Sequence, residues 1–237
     1  MLPGPQNCAT DAALATRLQA LQQALRQTAA RCGRTVDSIT LVAVSKGQSA
    51  TTIAAAARLG QRHFGENYLQ EAVPKLTELR SLDLVWHYIG RLQANKSRAV
   101  AAHFSWVHTI DRLQIAERLA AQRPDGAVPL NVCLQVNVAA DDRKAGVAPA
   151  AAAALARQVA TLPRLRLRGL MCMLPDGLDD GRQRWCFGEL RRLMQSLRVD
   201  YPCFDTLSMG MSGDFAAAIA EGATMLRIGT AIFGARA

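Results

Sequence analysis

A chain of 237 residues, half of them apolar and a fifth charged, is long enough to bury one large core and suits a single α/β barrel. Its net charge of +9 raises the question of nucleic acid, but the arginines are dispersed, and the densest group, Arg164 to Arg168, alternates with Leu165 and Leu167 as a half-buried strand does, with no interleaved aromatic platform. Nucleic-acid binding as the main function is set aside, and so is a membrane span, because nowhere do roughly 18 apolar residues run uninterrupted; with neither a basic start nor an apolar core in residues 1–7, a soluble cytoplasmic protein is expected.

The first segment, 11–31, reads as a helix. After it, short apolar runs alternate with longer helical stretches: strands over 39–45, 62–65, 84–89, 106–110, 130–138, 167–173, 204–209 and 225–229, and helices over 51–59, 67–79, 94–102, 112–122, 148–162, 180–197 and 213–221. Eight strands separated by helices predict an α/β fold, a single (β/α)8 TIM barrel over about 39–235 within one domain, 1–237. Ligands of such barrels meet the carboxyl ends of the strands. Here those ends are polar or glycine-bearing, from Ser45-Lys46 and Gly65-Glu66-Asn67 to Ser208-Met209-Gly210-Met211-Ser212 and Arg227-Ile228-Gly229-Thr230, although turn chemistry alone supplies some of these residue types.

No metal centre is indicated. The six cysteines (Cys8, Cys32, Cys133, Cys172, Cys186, Cys203) form no Cys-x-x-Cys pair and are expected to be reduced, mostly buried thiols. His103 and His108 are five apart, which is not a same-face helical spacing, and His63 and His87 fall in separate strand segments.

Lys46 ends the apolar run Ile39 to Ser45, and it is one of only four lysines against twenty-four arginines. A chain that uses arginine for generic positive charge has a chemical reason for a lysine there, and imine formation with an aldehyde is the chemistry arginine cannot perform. The alternative is a lysine that snorkels into solvent. If the barrel closes, the first strand neighbours the eighth, and Lys46 meets a glycine-rich anion cradle. In it Gly210, Gly213 and Gly229 admit backbone N–H groups, and Ser208, Ser212 and Thr230 add hydroxyls. Ser212 is either part of that cradle or the N-cap of the following helix. Arg227, amid Met225, Leu226 and Ile228, needs a buried acceptor: a ring nitrogen or a carboxylate such as Glu66. Asn67 either meets a ring edge or caps the next helix. Amine, anion cradle and arginine together describe a pyridoxal phosphate site.

On Ala43-Val-Ser-Lys46, His63-Phe-Gly-Glu-Asn67, Trp86-His-Tyr-Ile-Gly90 with Leu92-Gln-x-Asn-Lys96, Arg168-Gly-Leu-Met171, Leu207-Ser-Met-Gly-Met-Ser212 and Arg227-Ile-Gly-Thr-Ala-Ile-Phe-Gly234, the chain resembles the YggS-type pyridoxal phosphate homeostasis proteins over nearly its whole length. The resemblance implies a barrel like the N-terminal domain of alanine racemase, with pyridoxal 5'-phosphate held as an aldimine on Lys46. It implies a ring nitrogen facing Arg227, Asn67 beside the ring, and a phosphate held by Ser208, Gly229 and Thr230 with help from Ser212. Gly47 departs from the side chain, such as threonine, that many members carry, and a looser backbone after Lys46 is expected. Lys144 matches a family Lys-x-Gly pattern and is read as a solvated loop lysine.

The resemblance also implies intracellular vitamin B6 homeostasis, with the cofactor buffered or delivered, apo-enzymes among the possible recipients, and little or no turnover. A PLP-dependent amino-acid racemase is the alternative. Such an enzyme needs bases on both faces, and the alanine racemase tyrosine that supplies one comes from an additional domain expected to be absent here. Tyr88 is the only reasonable substitute among Tyr68, Tyr88 and Tyr201. A monomer is expected.

Overall fold

The computed structural model describes residues 5–201 and 203–235, with side chains from residue 11 onward, so Cys8 falls outside the described side chains. A long helix, α1 (Pro5–Arg31), precedes eight β/α units. These are β1 (Thr40–Val44) and α2 (Ala50–Arg58), β2 (His63–Glu66) and α3 (Leu69–Glu78), β3 (Val85–Tyr88) and α4 (Ser97–His103), β4 (Trp106–Ile110) and α5 (Leu113–Gln122). The second half holds β5 (Leu130–Gln135) and α6 (Ala152–Ala160), β6 (Leu165–Met171) and α7 (Asp180–Arg198), β7 (Thr206–Ser208) and α8 (Phe215–Ala220), β8 (Met225–Ile228) and α9 (Thr230–Phe233). The strands form one closed barrel in sequence order. Parallel pairing of β1 with β8, Val42 beside Arg227 and Ala43 beside Ile228, closes it.

Strand parity decides what each residue meets. Val42, Trp106, Cys133, Met171 and Met225 pack inside the barrel, whereas Ala43, Phe64, Val107, Leu170 and Leu226 join the larger core between strands and helices. The helices begin where the local chemistry allows. Ser49 Oγ accepts the Thr52 N–H ahead of α2, and Asp179 Oδ1 accepts the Arg182 N–H ahead of α7. On α1 the stripe Leu14, Leu18, Leu21, Leu25 and Ala29 is buried, each fully buried leucine contributing about 1.5–3 kcal/mol before entropy. That stripe faces α8 and α9, where Arg17 Nε also donates to Ile232 O at 2.8 Å.

Most boundaries lie one to four residues from the sequence pattern, and two of the differences have local reasons. The helix expected from 213 begins at Phe215, because the preceding residues form a turn with Gly210 at φ +98° and the Met211 N–H held by Asp214 Oδ1 at 2.5 Å. The fifth strand stops at Gln135, and Val136 continues only as a bridge to Val147. Of the described cysteines all five are free thiols. Cys133, Cys172 and Cys186 are buried while Cys32 and Cys203 are exposed, and burial pushes Cys133 and Cys172 up to about 12. Among the described residues no helix is long and apolar enough to cross a membrane.

Candidate functional site

Lys46 lies two residues beyond Val44 on the inward parity of β1, and its half-buried side chain lines a cavity of about 610 Å³ at the C-terminal mouth. The backbone on both sides of it is tied down. From α3, Lys75 Nζ donates to Ser45 O at 3.0 Å and to Glu66 Oε1 at 2.9 Å, and Ser45 Oγ donates to the same carboxylate oxygen at 2.6 Å. On the other side the Gly47 N–H donates to Glu71 Oε2 at 2.9 Å. Gly47 sits at φ +74°, a conformation glycine adopts without steric cost, so the looser backbone expected after Lys46 is instead a fixed turn. Burial pushes the Glu66 carboxyl up, against the hydrogen bonds from Ser45 and Lys75 that pull it down.

Arg227 points inward from β8 and is 5% exposed. Its Nη1 donates to Ser208 Oγ at 2.6 Å and its Nη2 to Cys172 O at 2.8 Å, while its remaining face lines the cavity. The ion pair with Glu66 weighed from sequence is not formed. Glu66 ends β2 on the outward parity and meets α3, so the barrel wall separates it from Arg227.

Six of the seven expected site residues line this one cavity: Lys46, Asn67, Ser212, Arg227, Gly229 and Thr230. Ser208 does not. It is fully buried, and its hydroxyl is engaged beneath the cavity by Arg227 and by His108 Nδ1 at 2.7 Å, a position different from the phosphate-holding one expected of it. Neither helix-cap alternative holds, since α3 begins at Leu69 after Tyr68 and α8 follows Asp214. Asn67 Oδ1 is buried and has no hydrogen-bond partner. The Asn67 backbone is fixed by a close approach to Gly90, where a Cβ would overlap the Asn67 carbonyl, and Gly90 O accepts from Thr109 Oγ1 at 2.7 Å.

Two further expectations change. Lys144, read as a solvated loop lysine, is half-buried and lines the same cavity. Tyr88, the candidate second base, is 3% exposed on the outward parity of β3, against Phe104, with its hydroxyl 3.4 Å from Arg91 O. Among the described cavity-lining residues none is a tyrosine. Sequence reasoning missed Lys75, although lysine scarcity singles it out as readily as Lys46. It also missed that His63, His87 and His108 share the inward parity of three adjacent strands. They form no metal site, since no group of three or more His, Cys, Asp or Glu side chains suited to an ion occurs among the described residues.

The family model for the alanine racemase N-terminal domain matches residues 16–237. The chain is 52% identical to the pyridoxal phosphate homeostasis protein of Pseudomonas aeruginosa over 212 residues, 90% of this chain and 91% of that one. To the Escherichia coli K12 protein of the same name it is 50% identical over 226 residues, 94% and 97% of the two chains. A solved structure of PipY from Synechococcus elongatus with PLP bound is 40% identical, with a TM-score of 0.82 over 93% of this chain and all of that one. Alanine racemase from Corynebacterium glutamicum, at 18% identity and a TM-score of 0.67 over 95% of this chain and 61% of that one, shares the fold. The chain belongs to the alanine racemase N-terminal domain family and, within it, to the pyridoxal phosphate homeostasis proteins.

Proposed function

We propose that this chain is a single-domain, cytoplasmic, monomeric carrier of pyridoxal 5'-phosphate that serves intracellular vitamin B6 homeostasis by holding the cofactor covalently on Lys46 and releasing it, with little or no turnover. One observation carries the reading: a lysine just beyond the first strand, on its inward parity, and a buried arginine on the last strand face one cavity of about 610 Å³ whose wall also holds an unpartnered buried oxygen, Asn67 Oδ1. An orphaned buried acceptor is rare unless a ligand satisfies it, so the residues present fit a polar aromatic cofactor. Relatives at 50–52% identity named for this role, and a PLP-bound neighbour at 40%, support the same reading.

The residues divide the work. Lys46 supplies the amine, and the Lys75, Glu66 and Glu71 contacts keep its backbone at a fixed height in the mouth. Ser212, Gly229 and Thr230 form the wall suited to the phosphate, and the first N–H groups of α9 have no partner within that helix. Arg227 would meet the ring nitrogen as a donor that stays protonated, which would keep that nitrogen unprotonated. Bound pyridoxal phosphate supplies an electrophilic aldehyde and an electron sink, and an arginine at its nitrogen makes that sink a weak one. Among the described residues no tyrosine lines the cavity, so none of them supplies a racemase-type second base opposite Lys46. Apo-enzymes that need the cofactor are the natural recipients.

Borohydride reduction of the loaded protein followed by peptide mapping tests the assignment. The pyridoxyl label is expected on Lys46 and absent from Lys46→Ala. Robust racemisation of any amino acid by the wild type, lost in Lys46→Ala, would replace the carrier reading with the enzyme one.

A further inference from the structure

A column of hydrogen-bonded side chains runs through the barrel interior from one mouth to the other. At the bottom, half-buried His63 lines a groove of about 550 Å³ beside Gln61 and Arg26. His63 Nδ1 lies 3.0 Å from His87 Nε2, His87 Nδ1 lies 2.9 Å from His108 Nε2, and His108 Nδ1 lies 2.7 Å from Ser208 Oγ, which accepts from Arg227 Nη1 at 2.6 Å. Trp106 stacks on His87 with ring centroids 5.5 Å apart and planes 16° apart, which fixes the middle ring. Among the described residues no carboxylate forms an ion pair with Arg227; its hydrogen-bond partners are neutral, and Asp214 acts on it only through its charge from farther away.

The polarity of the column follows from counting protons. Arginine only donates, so Ser208 Oγ must accept from it. The Ser208 hydroxyl proton then has one recorded place to go, His108 Nδ1. That makes His108 an Nε2–H tautomer that donates to His87 Nδ1, and makes His87 an Nε2–H tautomer that donates to His63 Nδ1, leaving His63 Nε2–H for the groove. The reverse order would strand the serine proton in a fully buried site, which native structures avoid. It would also turn the positive ends of the imidazole dipoles toward the guanidinium. Arg227 and the column therefore determine each other.

We propose that His108 is a positioning residue: with His87 and His63 behind it, it orients the Ser208 hydroxyl so that a lone pair faces Arg227 Nη1, and so sets the position of the guanidinium that meets the cofactor's ring nitrogen. This rests on the reading of Arg227 given above, but the tautomer pattern can be measured without any cofactor. In the unloaded protein labelled with ¹⁵N-histidine, His63, His87 and His108 are expected to show protonated Nε2 and unprotonated Nδ1 at neutral pH. A protonated His108 Nδ1 would overturn the proposal. In the loaded protein, His108→Leu is expected to shift the visible absorption maximum and to weaken pyridoxal phosphate binding by about tenfold, the loss of one oriented hydrogen bond. His108→Gln, which restores an acceptor, should recover most of both. If Arg227→Gln changes the spectrum and a folded His108→Leu does not, the column has no hold on Arg227 and the proposal fails. If Arg227→Gln leaves the spectrum unchanged, the assignment of Arg227 to the ring fails instead.

Discussion

Replacing His87 by glutamine should remove a specific part of the protein's acid sensitivity. His87 and His108 are fully buried, and burial holds both well below the ordinary imidazole range, with His108 and His63 adding to the effect on His87 and Arg227 adding to that on His108. A depressed folded value means that the unfolded chain alone takes up a proton as pH falls. The contribution to stability is thus complete above about pH 6.5 and is lost below it. Linkage gives a loss of about 2 kcal/mol for each such histidine between pH 7.5 and 5. Glu66 and Asp214, whose carboxyls burial raises, act in the opposite direction over the acid part of that window, so the absolute slope mixes several groups. The difference between wild type and His87→Gln isolates one histidine, and any repacking penalty, being independent of pH, cancels. Urea unfolding of the unloaded protein, followed by circular dichroism at several pH values, is expected to show the wild type losing about 2 kcal/mol more than the variant between pH 7.5 and 5. Parallel stability curves would refute the reasoning, because they would mean that His87 takes up its proton as readily folded as unfolded.

Lys75→Met should destabilise by about 3–5 kcal/mol in the same urea assay, because it leaves the buried Glu66 carboxylate without its cation. Since Glu66 can escape by staying protonated, that loss should be larger at pH 8 than at pH 5. Gly210→Ala forces a side chain onto φ +98° with its Cβ 2.6 Å from Ala218 Cβ and 2.7 Å from Leu226 Cδ2, and is expected to lower stability by about 2–4 kcal/mol. Tyr88→Phe removes only a 3.4 Å hydrogen bond outside the cavity, so it should change stability by less than about 1 kcal/mol and leave borohydride labelling of Lys46 intact.

The strands were legible because a parallel barrel strand, buried on both faces, writes itself as a short apolar run between helical periods, and all eight runs became strands. Lys46 was legible because a scarce residue ends one of those runs. What escaped depends on register or on packing between distant elements. The Lys75 to Glu66 pair exists because α3 lies over the outward face of β2, and nothing in either segment alone says so. The histidine column needs β2, β3 and β4 aligned so that His63, His87 and His108 rise stepwise, which spacing along the chain conceals. Ser208 and Ser212 look equivalent in Ser-Met-Gly-Met-Ser, yet the turn through Gly210 sends the first into the barrel and the second to the cavity wall. The four-residue α9 is too short to leave a periodic signal.

The seam between β1 and β8 makes the cavity a checkpoint on the whole chain. Lys46 follows the first strand while Arg227 lies on the last and Gly229 and Thr230 follow it, and the parallel pairing of Thr40 to Ala43 with Met225 to Ile228 brings them together. A ligand gripping both sides works as a fastener on the line where the barrel closes. By mass action it adds about 2.7 kcal/mol to global stability when present at a hundred times its dissociation constant, and it adds nothing to a chain whose seam is open. A chain whose seam is open holds the two halves of this cavity wall apart, so the complete wall exists only in the closed barrel.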